Sequence, residues 1–223
     1  MPVTNPIIAI PTEVRNQVAD GDYVLMVASD GTLYKILKAD FLSTGTTNLE
    51  INLNYASDGD TNGLFYYLGT NAKTTDWSNP TGNGVLISAS STENGSLSSL
   101  VDRVSSQWFS NINANNYVQF QLTNCKLKPT KYSIKTRSNN ADYYPRNWQL
   151  LGSNDGINWD VVDEQINNNT LSSISQWLTI PVSTTTKYSY FRLLQNGADS
   201  SGAGYLCLGE VELYGFYTHN SAG

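Results

Sequence analysis

Histidine and cysteine, the residues of many catalytic and metal sites, are scarce in this chain. The 223 residues include one histidine and two cysteines. The histidine, His219, lies close to the end of the chain, so triad hydrolases and histidine-based zinc sites lack an essential residue. Cys125 and Cys207 permit at most one disulfide, and we expect two free, buried thiols. The sequence therefore predicts no enzyme.

Charge and long apolar runs are also in short supply. Only 14% of the residues are charged, and the formal net charge is −6. A negative chain without a basic cluster repels phosphate backbones, so nucleic acid is not an expected partner. The longest apolar runs, such as that from Val24 to Ala28, contain only a few residues. The sequence therefore predicts no membrane insertion. Neither GxxxxGK[ST] nor GxGxxG occurs, and no nucleotide is expected.

Aromatic and turn-forming residues are abundant and favour an all-β fold. The chain has 5 Trp, 14 Tyr and 17 Gly. Aromatic side chains suit a pleated surface, and glycine suits tight turns. In residues 117–122, Val118, Phe120 and Leu122 alternate with polar positions, which predicts a strand with one core face. Short alternating runs separated by turns are typical of a sandwich or a barrel, and a small β-hairpin module is expected ahead of it.

The chain is predicted to divide near residue 45. Residues 1–45 form an N-terminal hairpin module, because Asp30-Gly31 separates two apolar runs. Residues 38–42 suit one helical turn, and the small polar residues 43–47 suit a linker. A lone hairpin is marginally stable, so this module is expected to attach to a partner or to oligomerise. Residues 46–216 form the main domain and 217–223 a tail.

Further strands and core residues follow from the same patterns. Asp155-Gly156 predicts a second hairpin turn, and residues 188–193 and 206–214 predict two more strands. The apolar residues of 206–214 change parity, which predicts a bulge at Gly209. Tryptophans within strand patterns are expected in the core, namely Trp148, Trp159 and Trp177.

Three ordered blocks, residues 144–159, 190–197 and 205–215, resemble the discoidin or coagulation-factor V/VIII C-type domain. Residues 62–70 and 77–80 extend the similarity to a subfamily found beside BTB and ubiquitin-ligase modules. The resemblance covers about residues 50–216. It implies a galactose-binding-like, non-catalytic jelly roll whose loops at one end bind sugars, lipid headgroups or protein surfaces.

The N-terminal residues 18–25, 31–36 and 38–42 are similar to a segment of bacteriophage tail-fibre and head-fibre proteins. This second resemblance implies an attachment or oligomerisation piece ahead of a receptor-binding domain, commonly in trimers. It suggests a virion surface protein that contacts other virion proteins through this module.

Sugar recognition needs flat aromatic faces together with planar amide, carboxylate or guanidinium groups. Residues 137–144 offer the richest mixture, Arg103 to Phe109 form a second cluster, and Trp77 with Asn79 forms a third. Residues 196–201 add a polar loop. The candidate ligand-binding residues are Trp77, Arg103, Trp108, Arg137, Asn139, Asp142, Tyr143 and Tyr144. Arg146 and Arg192 are expected to make structural hydrogen bonds instead.

Carboxylates provide the remaining candidates for chemistry. Glu164, Glu210 and Glu212 lie in strand patterns, where solvated outer-face positions are expected. Residues 57–63 superficially resemble a calcium loop, but the position of the bidentate Glu is held by Gly69 and an Asx turn is preferred. A structural calcium is the one cofactor left open.

The sequence thus predicts a non-enzymatic virion surface protein, either a phage fibre or a capsid decoration, that attaches to host glycans. Oligomer symmetry would multiply weak sugar sites. A purely structural decoration protein without a ligand site, a cellular lectin or adaptor domain, and a glycosidase or polysaccharide lyase are the alternatives.

Overall fold

The computed structural model describes residues 50–104, 107–139 and 141–219, and the backbone of residues 23–27 and 33–37. It divides into two units between Ile51 and Asn52. The first unit contains strands β1 (Tyr23–Val27) and β2 (Leu33–Leu37), which pair antiparallel. This pairing confirms the predicted N-terminal hairpin. The expected helical turn at 38–42 and linker at 43–47 lie outside the described residues.

The second unit is built from short strands with two brief helical segments. Strand β3 (Glu50–Leu53) contains the boundary between the two units, which falls after Ile51. The remaining elements are α1 (Leu64–Gly69), β4 (Val85–Ala89), β5 (Asn94–Gly95), a 3-10 helix (Leu97–Val101), β6 (Trp108–Phe109), β7 (Tyr117–Leu122), β8 (Cys125–Lys135), β9 (Trp148–Ser153), β10 (Asp160–Gln165), β11 (Trp177–Pro181), β12 (Tyr190–Gln195), β13 (Cys207–Leu208) and β14 (Glu210–His219).

These strands form a β-sandwich, as the sequence predicts. One sheet has the order β10-β9-β12-β7-β4, and the facing sheet contains the neighbours β14, β8 and β11. Alternation places Val118 and Phe120 of β7 in the core, opposite Tyr132 of β8, with 0%, 1% and 0% exposure. The indole N–H of Trp148 in β9 donates to the Tyr132 hydroxyl at 2.8 Å. The core therefore lies between the two sheets, where a polar tip keeps its hydrogen bond.

The C-terminal strand differs from its prediction. The register of β14 against β8 shifts between Tyr214 and Gly215, whereas Gly209 separates β13 from β14. A Cβ at Gly215 would lie 2.1 Å from the Lys128 carbonyl oxygen, and its φ is 146°. Only glycine fits there, so a bulge lies at Gly215, which the sequence did not predict. The Gly209 N–H donates to the Lys135 carbonyl oxygen at 2.7 Å, and Glu210 pairs with the same Lys135, so two residues face one, as in the bulge predicted at Gly209. Strand β14 also continues to His219, into the residues predicted as a tail.

The tryptophans are divided between core and surface. Trp148 is 1% exposed, as predicted, but Trp159 and Trp177 are half-buried on outer faces of the sheets. The Arg192 guanidinium lies 4.1 Å from the Tyr117 ring centre and 4.0 Å from that of Trp159. Trp159 thus packs against a cation on the outer surface and not in the core.

The two cysteines and the helices are described next to the predictions made for them. Cys125 and Cys207 are free and buried, which confirms the prediction for the cysteines. Within the described part of the chain, no helix is both long and apolar enough to cross a membrane.

Candidate functional site

Three loops meet at one end of the sandwich. Residues 136–147 follow β8, residues 196–206 follow β12, and residues 110–116 precede β7. Gln195, the last residue of β12, pairs with Trp148, the first residue of β9. The point where β12 ends and the point where β9 begins therefore lie at the same end of the sheet. On the facing sheet, the last residue of β8, Lys135, pairs with the first of β14, Glu210. These strand ends therefore bring together two of the loops predicted to bind ligand, residues 137–144 and 196–201. Residues 110–116, which lie beside them, were not predicted as a ligand-binding loop.

An aromatic cluster surrounds a buried arginine at this end. The Tyr143 and Tyr205 ring centres are 4.5 Å apart, and those of Tyr205 and Phe109 are 6.1 Å apart. The Arg137 guanidinium lies 5.0 Å from the Tyr143 ring centre and 5.9 Å from that of Phe109. Arg137 is 4% exposed, whereas the three rings are half-buried. We call Phe109, Arg137, Tyr143 and Tyr205 the loop-end cluster.

Hydrogen bonds hold the backbone at Tyr205 and at Tyr144, the residue after Tyr143. The Asp199 carboxylate accepts from the Tyr205 N–H at 3.0 Å and the Ser201 N–H at 2.8 Å. Ser200 exchanges two hydrogen bonds with the backbone of Tyr144, both 2.9 Å long. The loop that carries Tyr205 is therefore tied to the loop that carries Tyr143.

A buried asparagine, Asn116, links the loop before β7 to the loop that carries Tyr205. Asn116 is 1% exposed, and its amide N–H groups donate to the carbonyl oxygens of Asn111, Asn113 and Gly204, at 2.7, 3.1 and 2.8 Å. Its amide oxygen accepts from the hydroxyl groups of two serines, Ser90 and Ser91. Sequence reasoning missed this residue, because an isolated Asn before a strand gives no pattern.

Electrostatics keep the groups around the cluster protonated. Burial raises the pKa of Tyr205, and the carboxylates of Glu93 and Asp199 add to the effect. Burial also raises the pKa of the Cys207 thiol to about 12, although Arg137 opposes this shift. Tyr205 therefore presents a hydroxyl group that both donates and accepts hydrogen bonds at neutral pH.

Four of the predicted site residues lie together here, on or beside the loop that follows β8. Arg137 and Tyr143 belong to the cluster, and Asn139 and Asp142 are exposed on the same loop. Tyr144 is the neighbour that points inward: it is 6% exposed, and its hydroxyl has no hydrogen-bond partner among the described residues. The sequence prediction missed Tyr205, which it assigned only to a family-like block.

Trp77, Trp108 and Arg103 lie outside the cluster. Trp108 has 0% exposure and donates through its indole N–H to Thr92 Oγ1 at 2.9 Å, so it is a core residue and presents no face to a ligand. Trp77 is half-buried against Gly69. Arg103 donates to the Gly59 and Asp60 carbonyl oxygens at 2.8 and 3.0 Å. The side chains of Arg103 and Trp108 therefore have different partners and do not form the ligand-binding cluster that the sequence predicted.

Glu210 and Glu212 correct a prediction, whereas Glu164 is exposed as expected. Glu210 and Glu212 are only 4% and 5% exposed, although they point away from the sandwich core. Residues around α1 and the 3-10 helix cover this face of the sheet. The Glu212 carboxylate accepts from the N–H groups of Phe65 at 2.8 Å and Tyr66 at 3.3 Å, and so caps α1. A third, buried layer could not be inferred from strand alternation.

The acidic loop at residues 57–63 is held by its own hydrogen bonds. The Asp60 carboxylate accepts from the N–H groups of Ala56, Ser57 and Asn62, at 2.6, 3.1 and 2.9 Å. Asp58 Oδ1 accepts from the Tyr55 hydroxyl at 2.9 Å. These contacts match the preferred Asx turn. No group of three or more metal-ligating side chains occurs within the described ranges.

Arg146 and Arg192 make the structural hydrogen bonds that the sequence predicts. Arg146 donates to the Asn168 and Leu171 carbonyl oxygens at 3.2 and 2.5 Å. Arg192 donates to Gln119 Oε1 at 2.7 Å.

Comparison with known proteins establishes the family. Residues 86–208, more than half of the chain, match the F5/8 type C domain. The chain belongs to the F5/8 type C domain family. The discoidin resemblance and the galactose-binding-like sandwich are thereby confirmed, because discoidin is another name for this domain. The match spans β4 to β13 and includes all four residues of the loop-end cluster.

Relatives of this F5/8 domain include parts of large eukaryotic proteins. The chain is 31% identical over 172 residues to E3 ubiquitin-protein ligase Ufd4 of Drosophila melanogaster, covering 72% of this chain and 6% of that protein. It is 32% identical over 181 residues to E3 ubiquitin-protein ligase hecd-1 of Caenorhabditis elegans, covering 76% and 7%. The chain thus spans less than a tenth of these relatives. Neither comparison supports the phage-fibre resemblance.

A solved structure shows the same fold. CpGH89CBM32-5 from Clostridium perfringens, in complex with GalNAc-beta-1,3-galactose, matches with a TM-score of 0.50 and 16% identity. The match covers 61% of this chain and 98% of the other. It agrees with the sandwich seen in the second unit.

Proposed function

We propose that this F5/8 domain binds carbohydrate at the loop-end cluster, without catalysis. The observation that carries the proposal is the pair of half-buried rings, Tyr143 and Tyr205, held beside the buried guanidinium of Arg137. Aromatic rings pack on the apolar face of a pyranose. The carbohydrate complex of the structural neighbour supports this class of ligand.

Polar groups around the rings suit a neutral sugar with several hydroxyl groups. The Tyr205 hydroxyl can donate or accept, the exposed amide of Asn139 does both, and the exposed carboxylate of Asp142 accepts. Because Asp199 and Asn116 already hold the loops, little conformational entropy is lost when a sugar binds. A preorganised but shallow surface of this kind fits weak, specific recognition.

A glycan array followed by titration tests the proposal. Galactose- and N-acetylgalactosamine-containing glycans form the first panel. We expect Tyr205→Ala and Tyr143→Ala each to weaken the best glycan by about tenfold or more, equivalent to about 1.4 kcal/mol. Tyr190→Ala is the matched control, because Tyr190 is a half-buried tyrosine on the outer face of β12. Absence of glycan binding, or equal loss in the control, would contradict the proposal.

A second candidate function is that of an adaptor domain that binds protein within a larger assembly. The identity to Ufd4 and hecd-1 favours it, because both are E3 ubiquitin-protein ligases. Affinity capture with the whole chain and its Tyr205→Ala variant separates the candidates. A partner protein retained by both forms, without any glycan bound, would favour the adaptor.

The virion role rests on residues 1–45 alone. We propose that this segment joins copies of the chain, with a trimer as the expected assembly, and light scattering with and without residues 1–45 measures it. A trimer that becomes a monomer on truncation supports the fibre-like role, and a monomer in both forms removes it.

A further inference from the structure

The outer face of the five-stranded sheet is accessible to solvent, unlike the covered outer face of β14. In the neighbouring strands β7 and β12, every second side chain is buried in the core, and the outward-pointing ones between them are half-buried. These outward-pointing residues are Tyr117, Gln119, Gln121, Tyr190, Arg192 and Leu194. The face therefore presents rings, amides and one cation to solvent.

Arg192 belongs to a polar row that crosses three strands of this face. Ser88 of β4 pairs with Gln119 of β7, and Gln119 pairs with Arg192 of β12. Ser88 is exposed. Adjacent strands are about 4.8 Å apart, so the row spans about 10 Å. A hydroxyl, an amide and a guanidinium group thus lie side by side.

Two rings and one amide hold the Arg192 guanidinium. The ring centres of Tyr117 and Trp159 lie 4.1 and 4.0 Å from it. Among the described residues these two rings make no ring contact with each other, so they cover different sides of the guanidinium. The edge of this planar group remains for hydrogen bonds. Nη2 donates to Gln119 Oε1 at 2.7 Å, whereas Nη1 has no partner among the described residues and reaches solvent.

The charge of Arg192 is not neutralised by a carboxylate. In the described ranges no ion pair within 4.0 Å involves it. Burial lowers the pKa of Arg192, and the influence that opposes this shift comes from Tyr117 and not from an Asp or Glu. Half-buried charges usually have a partner of opposite sign. The open edge of Arg192 therefore favours an anionic ligand.

Arg192 also orients the amide of Gln119. An arginine only donates hydrogen bonds, so Oε1 of Gln119 faces it and Nε2 faces away. Nε2 makes no hydrogen bond to the described residues and is not buried. Arg192 Nη1 and Gln119 Nε2 are thus neighbouring donors without an acceptor on the protein.

We propose that this polar row binds a sugar acid, with the carboxylate of a hexuronate on Arg192 and its hydroxyl groups on Gln119 and Ser88. The inference rests on the proposed carbohydrate-binding function but uses a different surface and a charged sugar. A neutral sugar leaves the charge of Arg192 without a partner, whereas a carboxylate approaches the edge of the guanidinium in its plane. The adjacent amide and hydroxyl groups suit the hydroxyl groups of the same sugar.

Calorimetry with three ligands tests the inference on the whole chain. D-Glucuronate and D-glucose differ only at C6, and acetate is a carboxylate without hydroxyl groups. We expect glucuronate to bind about fivefold more tightly than either of the others, because only glucuronate uses the whole row. This preference should shrink as NaCl rises from about 0.05 to 0.5 M. Equal binding of glucose would overturn the inference, and acetate binding as tightly as glucuronate would reduce the row to a simple anion site and overturn it too.

Three variants locate the binding. Gln119→Glu keeps the length of the side chain and gives Arg192 a counter-ion, so it should abolish the preference for glucuronate while the protein stays folded. Gln121→Glu, roughly 7 Å along the same face of β7, adds the same charge and is the matched control that should keep most of the preference. Equal loss in both variants would overturn the inference, because net charge alone would then explain it.

The third variant, Tyr205→Ala, separates the two surfaces. It should weaken neutral glycans at the loop-end cluster and leave the preference for glucuronate intact, whereas Gln119→Glu should do the reverse. Failure of the loop-end site can thereby be told from failure of the polar row. A preference for glucuronate that is lost in Tyr205→Ala but kept in Gln119→Glu would contradict the assignment to Arg192.

Discussion

The loop-end cluster and a small cavity on the outer face of β14, whose walls include Glu210 and Glu212, differ in how they are built. The cluster places rings on loops, and backbone hydrogen bonds from Asp199 and Asn116 hold them at the surface. The cavity places charged side chains on regular strands and covers them with α1 and the 3-10 helix. In the cluster, polar support lies beneath apolar contact groups. In the cavity, apolar walls surround polar contact groups.

This difference shows where each surface is vulnerable. The cluster depends on a few buried polar contacts that fix flexible loops, so a loss there should reduce ligand binding without unfolding the sandwich. The cavity depends on close packing and on buried charge, so changes there should alter stability first. Three experiments test this contrast.

The largest expected effect comes from Gly63→Ala beside the cavity. A Cβ at this position would lie 2.1 Å from Glu212 Cδ, and Glu212 is held by backbone N–H groups on both sides. We expect a loss of about 3 kcal/mol in the free energy of unfolding, measured by urea denaturation. Gly82→Ala is the control: nothing lies within 4 Å, and only its φ of 82° opposes the change, at about 1 kcal/mol. Equal losses would refute the packing argument.

Asn116→Ala should act on the cluster with a smaller effect on stability. The change removes donors from three buried or half-buried carbonyl groups, including that of Gly204 next to Tyr205. We expect about 2 kcal/mol of destabilisation, together with weaker glycan binding by the protein that remains folded. The pH dependence of stability that comes from the raised pKa of Glu210 should persist. If both surfaces fail together, they are not independent.

The smallest expected effect is the pH dependence of stability. The folded pKa of Glu210 is raised from an ordinary value of 4.5 to about 8. Its contribution is therefore fully present below about pH 4.5 and is lost as pH rises through about 8. Between pH 5 and 8.5 we expect the free energy of unfolding to fall by at least about 1 kcal/mol from this group. Glu210→Gln should flatten the decline, and an unchanged slope would contradict the assignment.

Local patterns predicted a sandwich or a barrel, and part of the cluster. Alternation in β7 placed Val118 and Phe120 in the core, and the mixture of amides and aromatics at residues 137–144 indicated the loop that carries Arg137 and Tyr143. Both signals depend on residues close together in sequence. The family-like blocks added the jelly-roll sandwich, which strand patterns alone do not distinguish from a barrel.

The remainder required contacts between distant residues. Tyr205 joins Tyr143 only because two loops are tied through Ser200. Glu210 and Glu212 match the pattern of solvated positions, yet a segment far earlier in the chain covers them. Trp108 shares a short stretch with Arg103 but lies in a separate small sheet with its face buried. Sequence spacing carries no information on these arrangements.

The carboxylate that caps α1 has a consequence for the order of synthesis and folding. Phe65 and Glu212 are 147 residues apart, and α1 has no side-chain cap of its own. The ribosome synthesises α1 long before β14. The N-terminal N–H groups of this six-residue helix therefore have no Glu212 carboxylate to bind until the last strand of the sandwich has been made. Closure of the outer layer is thus a late event, and a nascent chain stopped before Glu212 would expose the face that later becomes the cavity wall.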